Sequence, residues 1–166
     1  GLRAFVAIDD LRLGPAFGGC RFRPYADDAS AMADAERLAH GMTLKNALAG
    51  IPFGGGKAVV LEPGTAFDRA ALFEAFGRAV DSLDGRYVTA MDSGTETSDM
   101  DAIARQTGCV SGATGREGDP SPRTARGVLE GIRAAAAELG APSLAGLRVA
   151  IQGVGHVGAA LADHLA

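Results

Sequence analysis

The hydrophobic pattern alternates between short apolar runs and longer segments with helical spacing. The short runs, which are typical of buried strands, lie at 2–8, 58–61, 87–91 and 147–152. The longer segments, which predict helices, lie at 28–49, 68–83, 97–106, 124–139 and 154–165. Strands that alternate with helices indicate an α/β protein.

The helix predicted at 28–49 carries a lysine on its apolar face. Leu38, Met42 and Lys45 follow one another at the spacing of one helix face. A lysine in such a stripe is costly unless it is paired or faces a cavity. The alternative is a helix-end lysine whose stem packs while its ammonium reaches solvent.

Glycine is the unusual entry in the composition. The chain has 24 glycines in 166 residues, about twice the usual 7%. They show no period of three, so we expect them in turns and at close backbone approaches. Gly18 and Gly19 are predicted to form a turn.

Charge and cysteine content exclude several classes of protein. The formal charge is −4 and the pI is about 5.3, which argues against a nucleic-acid or membrane partner. No apolar run is long enough for a transmembrane helix. Cys20 and Cys109 are the two cysteines and lie far apart in the sequence, which argues against a disulfide framework and favours a reducing cytoplasm. No histidine has metal-ligand spacing with a cysteine, so no metal site is predicted.

A GxGxxG motif at Gly153–Gly158 follows one predicted strand and opens a helix. That context is typical of a dinucleotide site, in which the glycines permit a tight turn, the approach of pyrophosphate and helix packing. The helix N-terminus then stabilises the negative charge. The alternative is a glycine-rich turn that serves packing alone. The acidic residue that binds the ribose is expected about 20 residues further on, beyond Ala166.

Three glycines precede a lysine at Gly54–Lys57. A phosphate-binding P-loop is excluded, because Ile51 replaces its first glycine and Ala58 its hydroxyl residue. The glycines still leave room for a small substrate against the backbone. A lysine that is desolvated, or that lies near another cation such as Lys45, can act as a base.

Asp92 directly follows the strand predicted at 87–91. Ligands of open α/β sheets gather beyond strand ends, and a carboxylate there can shuttle a proton. The alternative is an aspartate that caps the following turn. Because Lys57 begins its predicted strand and Asp92 ends another, a shared site requires a mixed sheet or a bend at Gly54–Gly56. A separation of more than about 10 Å would argue against a shared site, since proton relay needs hydrogen-bond reach or one water.

The motifs together resemble the amino-acid dehydrogenases that act on glutamate, leucine, valine and phenylalanine, most closely the leucine/valine/phenylalanine branch. The resemblance covers essentially the whole chain and rests on the stretches at 14–21, 41–47, 54–57, 89–95, 99–101, 121–128 and 152–155. It implies NAD-dependent oxidative deamination of an apolar L-amino acid to a 2-oxo acid and ammonium, in a cytoplasmic homo-oligomer.

The resemblance also implies roles for individual residues. Lys45 matches the lysine that holds the substrate carboxylate, Lys57 the catalytic base that activates water, and Asp92 the proton shuttle. The substrate backbone and side-chain pocket are matched by Gly18, Gly19, Phe17, Met42 and Ala90. Phe17 departs from the smaller leucine of leucine-type members, which reshapes the expected pocket. The cofactor contacts are matched by Thr124, Gly153, Gly155, His156, Val157 and Gly158.

The same resemblance implies the fold and the domain organisation. A substrate and dimerisation domain with a mixed sheet and flanking helices is expected at 1–120, lacking its N-terminal part. A linking helix is expected at 121–145, and the first βα unit of a truncated Rossmann domain at 146–166. We therefore expect a fragment without full activity.

Two alternatives to an apolar amino-acid dehydrogenase remain open. One is a non-catalytic dimerisation or binding module that keeps the fold. The other is an NAD(P)-dependent glutamate dehydrogenase, which needs a further cation for the second substrate carboxylate. The apolar residues Phe17 and Ala90 favour an aliphatic or aromatic substrate.

Overall fold

The computed structural model describes residues 1–115 and 119–166. The chain divides into two compact units, Gly1–Gly118 and Asp119–Ala166. The elements in chain order are β1 (Ala4–Asp10), β2 (Ala16–Arg23), α1 (Asp28–Leu48), β3 (Gly54–Leu61), α2 (Arg69–Asp81), β4 (Tyr87–Met91), α3 (Thr97–Ala104), α4 (Ser121–Glu138) and α5 (His156–Leu165). The prediction of an α/β protein is confirmed.

The four strands of the first unit form one mixed sheet in the order β1-β3-β2-β4. β1 runs antiparallel to β3, whereas β2 runs parallel to both β3 and β4. Successive side chains of a strand point to opposite faces. In β3, Ala58 and Val60 therefore join the core under α2 and α3, whereas Val59 and Leu61 pack against α1. The predicted mixed sheet with flanking helices is confirmed.

The prediction of a turn at Gly18 and Gly19 is wrong, because both residues lie inside the central strand β2. A Cβ at Gly18 would overlap the carbonyl oxygen of Gly56 and lie 3.1 Å from Cγ of Met42. Only glycine fits at this position, because neighbouring atoms already occupy the space that a side chain would need. The glycines therefore allow close packing rather than a reversal of the chain.

β3 begins at Gly54 rather than at Ala58, so the glycine triplet is part of the strand. A Cβ at Gly55 would overlap Thr43 on α1 and lie 2.6 Å from the carbonyl oxygen of Ala39. A Cβ at Gly56 would lie 2.9 Å from Cβ of Ala16 on β2. The expectation that the triplet leaves room for a substrate is wrong, because protein atoms fill that room.

The buried stripe of α1 differs from the predicted face. Its buried residues are Ala31, Ala35, Ala39 and Asn46. Leu38 and Met42 of the predicted face are half-buried, whereas Lys45 is exposed and makes no ion pair or hydrogen bond in the described part of the chain, as in the alternative of a helix-end lysine that reaches solvent. Helix α1 meets the sheet through alanines because Gly55 brings the two backbones close. No helix in residues 1–115 or 119–166 has the length and apolar character needed to cross a membrane.

In the second unit, α4 packs against α5 through Ala125, Leu129 and Leu161. The predicted strand at 147–152 is not formed. A strand is held by ladder hydrogen bonds to a neighbour, and the described part of this unit contains no second strand. The prediction of a helix after the GxGxxG motif is confirmed, although α5 begins at His156 rather than at Val154.

Candidate active site

One face of the sheet gathers the predicted reactive side chains beside α1. Strand alternation places Lys57 of β3 and Gly19 and Arg21 of β2 on this face, and Asp92 follows β4 on the same side. Helix α1 packs mainly on β1 and β3, whereas Ala90 on β4 remains half-buried. The face of β2 and β4 next to α1 therefore forms the wall of a candidate site.

Lys57 and Asp92 form an ion pair, with Nζ of Lys57 2.9 Å from Oδ2 of Asp92. The Lys57 side chain is only 6% exposed, and that of Asp92 is 27% exposed. β3 and β4 run parallel, with β2 between them. The mixed character of the sheet is therefore not what brings Lys57 and Asp92 together. Lys57 is instead the fourth residue of its strand, level with Gly19 and, across β2, with Ala90. The sequence interpretation placed Lys57 at the start of its strand, which is wrong.

Gly19 makes the contact between the two charged groups possible. A Cβ at Gly19 would lie 2.7 Å from Cβ of Asp92 and 2.9 Å from the carbonyl oxygen of Met91. Since Gly19 lies between β3 and β4, a side chain there would separate the ammonium of Lys57 from the carboxylate. Gly19 therefore shapes the ion pair.

The loop after β4 holds Asp92 in place through bonds to β2. The Asp92 amide donates to Oγ1 of Thr95 at 2.8 Å, and the Phe22 amide donates to the Ser93 carbonyl at 3.0 Å. Gly94 has a φ of +84°, and a Cβ there would overlap the carbonyl oxygen of Phe22. The turn is thus fixed by Thr95 and the backbone, and the Asp92 carboxylate points to Lys57.

A second cation, which the sequence analysis missed, also reaches Asp92. Nε of Arg21 donates to Oδ2 of Asp92 at 3.3 Å, and its Nη1 donates to Oδ2 of Asp34 at 2.9 Å. Asp34 also accepts from the hydroxyl of Tyr25 at 2.7 Å and from Arg37 at 2.6 Å. Strand alternation could have placed Arg21 on the same face as Gly19, but only with β2 identified as a strand.

The environment of Asp92 favours its charged form. Burial alone raises the pKa of the carboxyl group. The hydrogen bond and charge of Lys57, followed by the charge of Arg21, outweigh burial and hold that pKa below its usual value of 3.8. Asp92 is therefore a carboxylate at neutral pH.

Acid should weaken the folded state through Asp92. Because its pKa is lower in the folded than in the unfolded chain, its stabilising contribution is present above about pH 4 and is lost as the pH falls through the lowered pKa. We expect the urea midpoints of the wild type and of Asp92→Asn to differ at pH 6 and to converge toward pH 3. Asp81→Asn is the control, because Asp81 is exposed and makes no ion pair in the described residues. If the difference in urea midpoint between the wild type and Asp92→Asn does not change with pH, the lowered pKa of Asp92 is contradicted.

The remaining predicted substrate residues lie around this pair. Met42 of α1 packs over Gly18, and the half-buried Phe17 contacts Phe53 with ring centroids 5.1 Å apart. Lys45 lies three residues after Met42 on the same helix, so the two are neighbours on the surface of α1. The structure thus gathers Met42, Gly18, Phe17 and Ala90 on the sheet face, with Lys45 on the adjoining helix.

Asn46 ties that helix to the sheet, and the sequence analysis missed it as well. Its buried Nδ2 donates to the Gly54 carbonyl at 2.6 Å and to the Phe17 carbonyl at 3.2 Å. These two bonds join the last turn of α1 to β3 and β2. The turn that carries Lys45 is therefore held in register with the sheet.

The GxGxxG segment of the second unit has the backbone features that a pyrophosphate needs. Gly153 has a φ of +87°, and Gly155 is the N-cap of α5 without a side-chain cap. A Cβ at either glycine would meet no atom within 4 Å, whereas one at Gly158 would overlap the Gly153 carbonyl oxygen. The open, uncapped helix N-terminus fits an anionic group. His156 and Val157 begin the helix, and Thr124 is exposed in the first turn of α4.

Comparison with known proteins places the first unit in a family. Residues 1–108 match the model described as the Glu/Leu/Phe/Val dehydrogenase dimerisation domain. The chain belongs to the Glu/Leu/Phe/Val dehydrogenase family. The resemblance inferred from the motifs is thereby confirmed.

Relatives match over nearly the whole chain. The leucine dehydrogenase of Geobacillus stearothermophilus is 49% identical over 99% of this chain and 46% of its own length. The valine dehydrogenase of Streptomyces virginiae is 49% identical over 99% of this chain and 47% of its own. The crystal structure of L-tryptophan dehydrogenase from Nostoc punctiforme superposes with a TM-score of 0.70 at 41% identity, covering 98% of this chain and 46% of that one. The chain spans about half the length of the curated relatives that it matches.

Proposed function

We propose that the intact protein catalyses NAD-dependent oxidative deamination of an apolar L-amino acid. The substrate, water and NAD⁺ give a 2-oxo acid, ammonium, NADH and a proton. The observation that carries this proposal is the ion pair of Lys57 and Asp92, in which the lysine side chain is only 6% exposed. Relatives named leucine, valine and tryptophan dehydrogenases support the reaction class.

Lys45 binds the substrate carboxylate in this proposal. Its ammonium is exposed, without a protein partner in the described residues, and stands on a helix turn fixed by Asn46. Because the helix turn is fixed, only the side chain of Lys45 has to be ordered when it binds an anion. The backbone of Gly18 and Gly19, bare of side chains, lies below the substrate.

Lys57 and Asp92 move protons in this proposal. Lys57 donates a hydrogen bond to Asp92, and transfer of that proton leaves a neutral amine. The amine can then take a proton from the water that attacks the imine carbon. Asp92, as a carboxylate within hydrogen-bond reach of Lys57, receives the Lys57 proton and passes it to the substrate nitrogen, which is the leaving group. The proton from water restores the charge of Lys57, so both groups return to their starting states.

The substrate side chain contacts Phe17, Met42 and Ala90 in this proposal. All three side chains are half-buried and apolar, so an aliphatic or aromatic substrate gains from burial. A glutamate side chain would bring a carboxylate that none of these three residues can pair.

The GxGxxG segment binds the cofactor in this proposal. Gly153 and Gly155 admit the pyrophosphate, and the first turn of α5, with His156, Val157 and Gly158, presents its free amides. Thr124 contacts the nicotinamide. When bound, NAD supplies the acceptor for the hydride.

We also propose that the protein forms a homo-oligomer. The matching family model describes a dimerisation domain over residues 1–108. Leu44 and Leu48 on the outer side of α1 are 59% and 91% exposed, which provides apolar surface for such a contact.

A substrate screen tests the proposed reaction. The intact protein is assayed for NADH formation with leucine, valine, phenylalanine and glutamate, each with NAD and with NADP. We expect kcat/KM for the best apolar substrate to exceed that for glutamate by at least about 100-fold, because an unpaired buried carboxylate costs several kcal/mol. Preference for glutamate, or no turnover with any amino acid, would refute this assignment.

A further inference from the structure

Arg21 links the Asp92 carboxylate to a second, fully hydrogen-bonded carboxylate. Its Nε lies 3.3 Å from Oδ2 of Asp92, and its Nη1 lies 2.9 Å from Oδ2 of Asp34. The Arg21 side chain is 20% exposed. A guanidinium has donors in a fixed planar fork, so two bound carboxylates set its position.

Asp34 is the anchor at the far end of this link. Three donors converge on its carboxylate, from Arg21, Tyr25 and Arg37. Burial alone raises the pKa of Asp34, but these hydrogen bonds outweigh it and lower that pKa. Asp34 therefore remains charged at neutral pH, and it links α1 to Arg21 on β2.

Arg21 and Lys57 contact the same oxygen of Asp92, Oδ2. Two cations on one oxygen fix the orientation of the carboxylate more tightly than the flexible lysine alone. When Lys57 becomes neutral in the proposed reaction, Arg21 still holds Asp92 in place. Arg21 itself cannot be deprotonated in proteins, so it adds charge without taking part in proton transfer.

We propose that Arg21, anchored by Asp34, is a positioning residue for Asp92. The inference deepens the proposed function and rests on it for its catalytic consequence. Arg21 keeps the carboxyl group of Asp92 aimed at Lys57 throughout the reaction. The contacts themselves stand independently of that function.

The other titratable groups around Asp92 do not compete for this role. Cys20 on β2 and Tyr87 on β4 are both completely buried. Burial raises the pKa of the Cys20 thiol to about 12 and raises that of Tyr87 as well. Both stay neutral through the acidic and neutral range, and among the described residues Lys57 and Arg21 are the charged side chains that pair with Asp92.

Titration of Asp92 in the 166-residue chain tests the positioning directly. The carboxyl carbon is followed by NMR and assigned with Asp92→Asn. We expect Arg21→Gln to raise the titration midpoint of Asp92 by about one pH unit, since a nearby opposite charge lowers a carboxyl pKa by 1–3 units. Arg3→Gln is the matched control, because Arg3 directly precedes β1 and pairs with Asp28 and not with Asp92. An unchanged midpoint in folded Arg21→Gln would overturn the proposal.

Asp34→Asn provides a second variant that keeps Arg21 in the chain. Loss of the anchor should raise the Asp92 midpoint by less than Arg21→Gln does, because the guanidinium remains nearby but free. A midpoint equal to that of the wild type would show that Asp34 is no anchor.

Turnover of the intact protein separates this inference from the proposed function. Arg21→Gln should lower kcat about 10-fold, by analogy with the loss of supporting hydrogen bonds, leave KM unchanged and move the acid limb of the pH profile upward. Arg21→Lys should restore the acid limb in part but not kcat, since one ammonium cannot bridge two carboxylates. If Arg21→Lys has the kcat of the wild type, the proposed link between Asp34 and Asp92 through Arg21 is contradicted. If instead the Asp92 midpoint shifts while Lys57→Met keeps full turnover, the proposed function fails and the positioning stands.

Discussion

Replacement of Lys57 by methionine should reduce kcat of the intact protein by about 10²- to 10⁴-fold, the usual contribution of a general acid or base. Methionine keeps the length of the buried stem but removes the ammonium that contacts Asp92 at 2.9 Å. KM for the amino acid should change little, because Lys45 rather than Lys57 is proposed to bind the carboxylate. The measurement is NADH formation under saturating substrate.

Controls distinguish chemistry from folding in that experiment. Circular dichroism should show the same secondary structure in Lys57→Met, since Asp92 keeps its bond to Arg21. Lys45→Met is the matched variant, which removes a lysine from an exposed position. It should raise KM far more than it lowers kcat. Equal effects of the two substitutions on KM, with kcat unchanged, would contradict the assigned roles.

Replacement of Gly55 by alanine should destabilise the first unit by about 3 kcal/mol, the upper end of the usual cost of overpacking. The added Cβ would overlap Thr43 and lie 2.6 Å from the Ala39 carbonyl. These atoms belong to α1, so relief requires the helix to move away from β3. The measurement is urea unfolding followed by circular dichroism.

Gly41→Ala is the matched control, because Gly41 lies within α1 and a Cβ there would meet no atom within 4 Å. Alanine favours a helix interior over glycine by about 0.5–1 kcal/mol. The two substitutions should therefore change stability in opposite directions. Destabilisation by both, or by neither, would contradict the packing described for α1.

The sequence predicted the elements whose apolar pattern is local. The helix at 28–49 and the strand at 87–91 agree closely with α1 and β4, because each shows its period within one segment. β2 was missed because Gly18 and Gly19 are typical of turns. In a central strand, glycine is favoured only when neighbouring strands and helices occupy the space of its side chain, and that information lies elsewhere in the chain.

The candidate site was predicted in part for the same reason. The motifs singled out Lys57 and Asp92, but their contact depends on the register across β2, which a linear sequence does not display. Arg21 and Asp34 lie 13 residues apart on a strand and a helix, with no pattern that links them. The strand predicted at 147–152 is not formed, although its local pattern is that of a strand. The described part of its unit offers no neighbouring strand with which it could form a hydrogen-bonded ladder.

A structure of the intact protein with a bound 2-oxo acid tests the central claim most directly. We predict that the carboxylate of the 2-oxo acid contacts Lys45 and that its carbonyl carbon lies beside the Lys57 amine and Asp92. Its apolar chain should lie against Phe17, Met42 and Ala90. A 2-oxo acid bound away from the Lys57–Asp92 pair, or bound with its carboxylate on Lys57, would contradict the account.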